Sequence, residues 1–460
     1  MPPPTNELRR VITLPGAVGV GLGSIIGTGA FVTLGLGAGL AGPWLLLAIV
    51  IAGGLAMCNG LSSAQLAAVH PVSGGTYAYG YRFLHPLAGF TAGWVFLIAK
   101  TASCATAALG FGGLIAWVMG KPGDGATMTL AALGSLLVVA AMALAGVSRS
   151  VRFNYGLVFV TVAALLTMVV AAGPQAVRGW QGLSWAAIAD RPISAPGVLQ
   201  AAALAFVAFA GYARIATMGE EVRDPRRTIP RAVVITLGVA VVLYALVAFT
   251  GLGVLGPAEF GERAARDAAP LLAVARAVEA PTLAVMLGVG AAAALLAVQL
   301  NLIMGLARVA LAAGRERDLP TPLARIDRQG VPVVATVAVL AGIALVIVIG
   351  SVPAAWSLAA GAVLVYYAIT NLAAMRVAEG RFIARWVHTL GLAGCVSLAV
   401  FVEPIVLGVV IGLAALGFGV RGVSRRIQPP PVGSLGSSGS PAGASTGPGS
   451  STGSLAGSSP

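Results

Sequence analysis

A glycine run with two hydroxyl side chains is the stretch whose residue types could best support binding chemistry. Residues 19–31 read Gly-Val-Gly-Leu-Gly-Ser-Ile-Ile-Gly-Thr-Gly-Ala-Phe, inside an apolar segment long enough to cross a membrane. Glycine allows such a helix to unwind, and the freed backbone N–H groups at the start of a half-helix attract an anion. With the hydroxyls of Ser24 and Thr28 nearby, the run predicts a carboxylate-binding site.

The same glycines have a simpler use in helix packing. Gly19, Gly23 and Gly27 are spaced four residues apart, and small residues at this spacing let a neighbouring membrane helix approach closely. Spacing alone does not separate a packing surface from an unwound binding site, so both interpretations stay open at this point.

A second interruption lies in a later apolar segment, at residues 206–212, Phe-Val-Ala-Phe-Ala-Gly-Tyr. A break there would free backbone carbonyl groups and present the negative end of a helix dipole, which suits an ammonium group. A carboxylate site and an ammonium site together predict a zwitterionic ligand.

Composition defines the elements that must position these two stretches. The chain has 460 residues, of which 58% are hydrophobic and 9% charged, with a mean hydropathy of +0.93, whereas a soluble domain has about 25% charged residues. This indicates an all-α integral membrane protein with about twelve transmembrane helices. The predicted spans are residues 11–35, 43–69, 84–118, 127–147, 153–173, 196–218, 231–256, 281–312, 332–350, 354–375, 383–401 and 404–420.

The placement of charge predicts how these spans are oriented. The formal net charge is +13, and most of the basic residues fall before the first span or in alternate connections, the pattern of positive residues on the cytoplasmic side. We therefore expect a multi-pass protein of the cell membrane with both termini in the cytoplasm. This placement accounts for the net positive charge. We therefore expect the lipid bilayer, and not a nucleic acid, as the partner of this protein.

The interrupted spans are the first and the sixth, which suggests an internal repeat. Residues 11–173 would form a first five-helix repeat and residues 196–375 a second, inverted because each repeat has an odd number of helices. Residues 1–10 would be a cytoplasmic N-terminus and residues 383–420 two additional helices. Residues 428–460, almost wholly Pro, Gly, Ser, Ala and Thr, predict a disordered cytoplasmic tail.

Four motifs carry a resemblance to a known family. They are residues 23–31 (Gly-Ser-Ile-Ile-Gly-Thr-Gly-Ala-Phe), 71–79 (Pro-Val-Ser-Gly-Gly-Thr-Tyr-Ala-Tyr), 219–230 (Gly-Glu-Glu-Val-Arg-Asp-Pro-Arg-Arg-Thr-Ile-Pro) and the stretch 308–320 ending Arg-Glu-Arg-Asp-Leu-Pro. In order and spacing they resemble the amino acid-polyamine-organocation (APC) superfamily of permeases. The resemblance implies a leucine-transporter-like fold of five plus five inverted helices with helices 1 and 6 broken.

The resemblance also implies roles for particular residues. The substrate carboxylate would meet Ile25, Gly27, Thr28 and Gly29. The amine and the side-chain pocket would be formed by Phe206, Ala208, Phe209 and Ala210. A cytoplasmic gate of salt bridges would be formed by Glu220, Glu221, Arg223 and Asp224.

This sequence departs from the commoner family pattern at the aromatic lid over the substrate and at the position that some relatives use for coupling. Many members have a second aromatic residue in the sixth-helix break, where this chain has Val207, and residues 153–173 lack the lysine that some proton-coupled relatives carry. Lys100 instead lies in the third span, about 20 Å along the helix and hence near mid-membrane. We expect Lys100 to titrate and couple a proton, or to stand in for a cation. The alternative is a structural lysine bonded to helix-end carbonyls.

The predicted function is secondary active transport of amino acids by alternating access, coupled to protons or run as exchange. Neither break carries an acidic side chain, which favours small or apolar neutral amino acids. The alternatives are a polyamine or cationic amino acid permease, or a transport-deficient sensor or channel on the same scaffold. Because the histidines lack partners at ligand spacing and no phosphate-binding loop is present, no enzyme activity, cofactor or metal is expected. The sequence does not predict an oligomeric state.

Overall fold

The computed structural model describes residues 12–72, 74–144, 147–182, 194–217, 222–267, 269–327 and 331–427, with backbone only for 147–154 and 217. These residues are almost entirely helical, and the strand pairing among them is a single parallel bridge between Ile12 and Val222. The terminal segments predicted for residues 1–10 and 428–460 lie outside the described residues.

The helices, in chain order, match the all-α expectation and are numbered here as one series. They are α1 Leu14–Ile25, α2 Leu34–Ala41, α3 Leu45–Val69, α4 Thr76–Phe83, α5 Pro86–Val118, α6 Gly125–Leu144, α7 Val147–Gly182, α8 Ala195–Phe209, α9 Ala213–Thr217, α10 Pro225–Arg266, α11 Pro270–Ala277, α12 Pro281–Arg315, α13 Val333–Ile349, α14 Val352–Met375, α15 Arg385–Val400 and α16 Pro404–Ile427.

Within the described ranges, nine helical runs are long and apolar enough to cross a membrane. The first run, Leu14–Val69, has 56 residues, and a straight helix of that length would be far longer than the roughly 30 Å hydrocarbon core. It turns at Gly42, whose φ of 58° is in the left-handed region that glycine adopts readily. Counting this run as two spans and adding the shorter helices α13 and α15 gives twelve, as expected.

The long helix α10 consists of a membrane span and a short outer piece. Gly256 has a φ of 75° and a ψ of 165°, and Pro257 follows it, so the helix kinks there. The piece after the kink and α11 form a helical connection between this span and α12. Both therefore lie beyond the end of the span rather than inside it.

Two helices organise the packing of the bundle. α5 packs against α14, α6, α12 and α4, and α10 packs against α3, α2 and α7. Close approach depends on small residues, as is typical of membrane helices. At Gly112 of α5, for example, a Cβ atom would overlap the backbone carbonyl of Met128 on α6.

A buried carboxylate fixes the last helix at the predicted inner side. Asp318, fully buried just beyond α12, pairs with Arg421 at 2.7 Å and with Arg425 at 3.0 Å, both from α16. Its other oxygen accepts hydrogen bonds from the hydroxyls of Tyr77, at 2.9 Å, and of Tyr81, both on α4. The ends of α4, α12 and α16 are thereby joined by one carboxyl group.

A second polar cluster links α3, α14 and α15 inside the bundle. The Ser62 hydroxyl lies 2.7 Å from both Asn371 Oδ1 and His388 Nδ1, and Asn371 donates to Asn59 Oδ1 at 2.5 Å. Gly391 allows this contact, since a Cβ atom there would lie 2.6 Å from Asn371 Oδ1. The cluster satisfies polar groups between helices, and the described residues contain no group of His, Cys, Asp and Glu suited to a metal.

Candidate functional site

The first span is broken where the glycine run predicted. α1 ends at Ile25, Ile26 has a ψ of 96°, and the chain resumes as a π-helical turn over Gly29–Thr33 before α2. A π-helical turn is rare and occurs frequently at functional sites. The interruption leaves backbone groups of residues 25–29 outside regular helix, at a depth where lipid does not satisfy them.

The sixth span is interrupted more gently. α8 ends at Phe209, and residues 210–212 form a single 3-10 turn before α9 begins at Ala213. The turn tightens the helix instead of unwinding it. It still changes the direction of the backbone carbonyls of Ala208 and Ala210, which become acceptors for side chains of other helices.

The two breaks lie directly against each other. A Cβ atom at Gly211 would overlap the backbone carbonyl of Ser24 and lie 2.7 Å from the nitrogen of Ile25. A Cβ atom at Gly29 would lie 2.6 Å from that of Ala208. Glycine at these two positions is therefore what allows the breaks of the first and sixth spans to meet.

Gly27 has a different neighbour. A Cβ atom at Gly27 would collide with the side chain of Val298 and lie 3.4 Å from the carbonyl of Ala294, both on α12. The packing interpretation of the glycine run thus holds at Gly27, while the helix is also broken beside it. The stretch is therefore both closely packed and interrupted, and its role in binding a carboxylate stays a prediction.

The hydroxyl groups near the first break behave differently from each other. Ser24 donates to the carbonyl of Val20, 2.9 Å away in its own helix, so its proton is already used. Thr28 is buried, and its hydroxyl oxygen has no hydrogen-bond partner among the described residues. Thr28 is therefore the hydroxyl that remains available to a ligand at this break.

Aromatic rings surround the sixth-span break. Phe206 and Phe209 are both fully buried. The Phe206 ring packs edge-on against Tyr367 of α14, with centroids 5.5 Å apart, and the Phe209 ring packs against Tyr244 of α10, with centroids 5.0 Å apart. The break is thus enclosed by rings from three helices.

Lys100 reaches this break from α5. Its side chain is buried, with 5% exposure, and its ammonium nitrogen lies 3.3 Å from the carbonyl oxygen of Ala210. The hydroxyl of Tyr367 donates to the same oxygen at 3.1 Å. No ion pair involves Lys100 among the described residues. The sequence placed Lys100 at mid-membrane depth, and the structure brings it to the sixth-span break.

Tyr244 is a residue of the site that sequence reasoning missed. Its hydroxyl donates to the carbonyl of Ile25 at 2.6 Å and lies 3.3 Å from the carbonyl of Ala208. It sits in an apolar stretch of α10 with no motif around it. No signal in the sequence indicates that this one tyrosine faces both breaks.

The predicted gate lies only partly within the described residues. Glu220 and Glu221 fall outside them. Arg223 donates its backbone N–H to the carbonyl of Ile12 at 2.9 Å, and Asp224 forms an exposed ion pair with Arg227 at 3.9 Å. The first of these contacts attaches the segment before α1 to the loop after α9, and the salt-bridge gate stays a prediction.

Comparison with known proteins agrees with this architecture. The sequence model of the family described as amino acid permease matches residues 12–430. An uncharacterized transporter of Mycobacterium tuberculosis is 42% identical over 429 residues, covering 92% of this chain and 93% of the relative. The branched-chain amino acid permease BcaP of Bacillus subtilis is 30% identical over 69% of this chain and 70% of its own length.

A plant relative is more distant. Cationic amino acid transporter 1 of Arabidopsis thaliana is 27% identical over 74% of this chain and 58% of its own length. With a family match across nearly the whole chain and broken first and sixth spans in contact, the chain belongs to the amino acid permease family of the APC superfamily and is a multi-span membrane transporter.

Proposed function

We propose that the protein is a secondary active transporter of small or apolar neutral amino acids, working by alternating access about the two breaks. The observation that carries the proposal is the direct contact of the breaks at Gly211 and Ser24. Half-helix ends that meet at mid-membrane offer N–H groups to a carboxylate and carbonyls to an ammonium group without any charged side chain. The carboxylate would meet Ile25, Gly27, Thr28 and Gly29. The amine would meet carbonyls offered by Phe206, Ala208, Phe209 and Ala210.

The charges around the site favour a neutral substrate. The residues of both breaks are uncharged, and the Lys100 ammonium group contacts the sixth-span break. A neutral amino acid brings a carboxylate that offsets its ammonium group, whereas a lysine-like or polyamine substrate would add uncompensated positive charge beside Lys100. The rings of Phe206 and Phe209 suit an apolar side chain. The similarity to a branched-chain permease supports this choice, while the similarity to cationic transporters supports the alternative.

Lys100 is also our candidate for coupling. An ammonium group without a carboxylate partner is costly at this depth. Lys100 would therefore lose and regain its proton during the transport cycle. Transport would then be proton-coupled, or the protein would work as an exchanger. We further propose that Glu220, Glu221, Arg223 and Asp224 gate the cytoplasmic side and that the protein lies in the cell membrane with both termini inside.

Exchange in reconstituted vesicles tests the proposal. Vesicles loaded with unlabelled alanine or leucine should take up the labelled amino acid faster than empty vesicles, with saturation. Lysine and spermidine should give little stimulation. Stimulation by lysine and not by leucine would replace the neutral substrate with a cationic one. Ionic conductance without saturable exchange would indicate a channel, and ligand binding without either would indicate a sensor.

A further inference from the structure

Tyr244 occupies the space between the two broken helices. The residue is fully buried on α10, with its ring against Phe209. Its hydroxyl lies within hydrogen-bonding distance of two carbonyls, at 2.6 Å from Ile25 of the first span and at 3.3 Å from Ala208 of the sixth. One side chain from a third helix therefore joins both breaks.

These carbonyls need a donor when no ligand is present. The carbonyl of Ile25 belongs to the last residue of α1, where the helix supplies no further N–H group. A buried carbonyl without a donor is costly, and more so at membrane depth, where no water replaces the missing partner. The Tyr244 hydroxyl has one proton to donate, and the shorter distance assigns it to Ile25.

Glycine at position 29 permits this arrangement. A Cβ atom on Gly29 would lie 2.5 Å from the Tyr244 hydroxyl oxygen and 2.6 Å from the Cβ atom of Ala208. Any larger residue would push the hydroxyl away from the breaks. Gly29 thus has a task besides flexibility, since it leaves room for a side-chain donor between the two half-helices.

We propose that the Tyr244 hydroxyl is an internal substitute for the ammonium group of the substrate. This inference rests on the proposed function and adds that the substrate amine, bound at the carbonyls of the sixth-span break, also reaches the carbonyl of Ile25. When the site is empty, the Tyr244 hydroxyl donates its one proton to Ile25 instead, and the two broken helices close around it. The empty protein can then return across the membrane without cargo, so that net transport is possible as well as exchange.

The substitution Tyr244→Phe separates these two modes, because it removes the donor and keeps the ring. In reconstituted vesicles we expect net uptake into empty vesicles to fall about tenfold, the rate factor that corresponds to roughly one lost buried hydrogen bond. Exchange into preloaded vesicles should be retained, since the loaded protein receives its donor from the substrate. Substrate affinity should be unchanged or tighter, because an internal competitor is gone.

Tyr366→Phe is the matched control. Tyr366 is buried on α14, and its hydroxyl accepts from the backbone N–H of Thr76 on α4 instead of donating to a carbonyl of either break. This variant should leave the ratio of net uptake to exchange at the wild-type value. An equal change in that ratio in both variants would overturn the proposal.

The remaining outcomes also decide the question. Unchanged net uptake in Tyr244→Phe overturns the proposal, and so does a parallel loss of net uptake, exchange and affinity, which would make Tyr244 a structural residue. Absence of exchange in the wild-type protein for every amino acid tested would refute the proposed function itself, and this inference with it.

Discussion

The carbonyl oxygen of Ala210 accepts a hydrogen bond from the Lys100 ammonium group, 3.3 Å away. This contact joins the third span to the sixth-span break at the place where the proposed substrate amine binds. The contact is the one expected of a structural lysine bonded to helix-end carbonyls, the alternative given from the sequence. It also places a titratable group at the site. A structural role and a coupling role for Lys100 make different predictions for the loss of its charge.

Lys100→Met is the substitution that decides, because it removes the charge and keeps most of the side-chain volume. If Lys100 couples a proton, uptake should fall at least about tenfold and its dependence on external pH should flatten. Uptake is measured in vesicles across pH, with Lys121→Met, at an exposed lysine in the α5–α6 loop, as the control. Unchanged uptake with an unchanged pH profile would leave Lys100 a structural role only.

The break in the first span was predictable from the sequence, whereas the side chains of other helices that reach the two breaks were not. Glycines and hydroxyls clustered in one stretch are a local signal, and the structure breaks the helix there. The contacts of Lys100 and Tyr244 depend on how α5 and α10 are rotated in the bundle. Both helices are apolar on nearly all sides, so the spacing of their apolar residues does not indicate which face of each helix meets the site.

The two hydroxyl side chains at the first break could likewise not be distinguished from the sequence. The sequence singled out Ser24 and Thr28 together, since either could face a carboxylate. In the structure Ser24 donates to Val20 in its own helix, a bond that serine commonly makes within membrane helices. The choice between the two depended on side-chain geometry that residue type alone does not specify.

Gly211→Ala should separate the two breaks. The added Cβ atom would overlap the backbone carbonyl of Ser24, and backbone atoms do not move aside as a flexible side chain would. We expect uptake to fall at least about tenfold and the free energy of unfolding to drop by about 1–3 kcal/mol. Gly54→Ala is the control, because no atom lies within 4 Å of a Cβ at Gly54. Equal uptake in the two variants would show that close contact of the breaks is dispensable.

Asp318→Asn should destabilise the inner end of the bundle. The change leaves Arg421 buried beside a neutral amide, and breaking a buried ion pair from one side costs about 3–5 kcal/mol. Tyr81 does not compensate by ionising, since burial, the largest cause of its raised pKa, is still present in the variant. Thermal unfolding in detergent measures the loss.

Asp224→Asn is the control, because Asp224 forms an exposed pair with Arg227. This variant should leave the melting temperature unchanged. An equal shift in both variants would contradict this account.

Thr28→Val should have opposite effects on stability and on binding. The Thr28 hydroxyl is buried without a partner among the described residues, so an isosteric methyl group should stabilise the empty protein by about 1 kcal/mol. The same change removes a donor for the substrate carboxylate and should weaken amino acid binding about tenfold.

Gly27→Leu does not make this distinction, because it also collides with Val298. Thermal shift with and without leucine reports both quantities in one experiment. Stabilisation with unchanged affinity would exclude Thr28 from the binding site, and destabilisation would show that its hydroxyl has a structural partner.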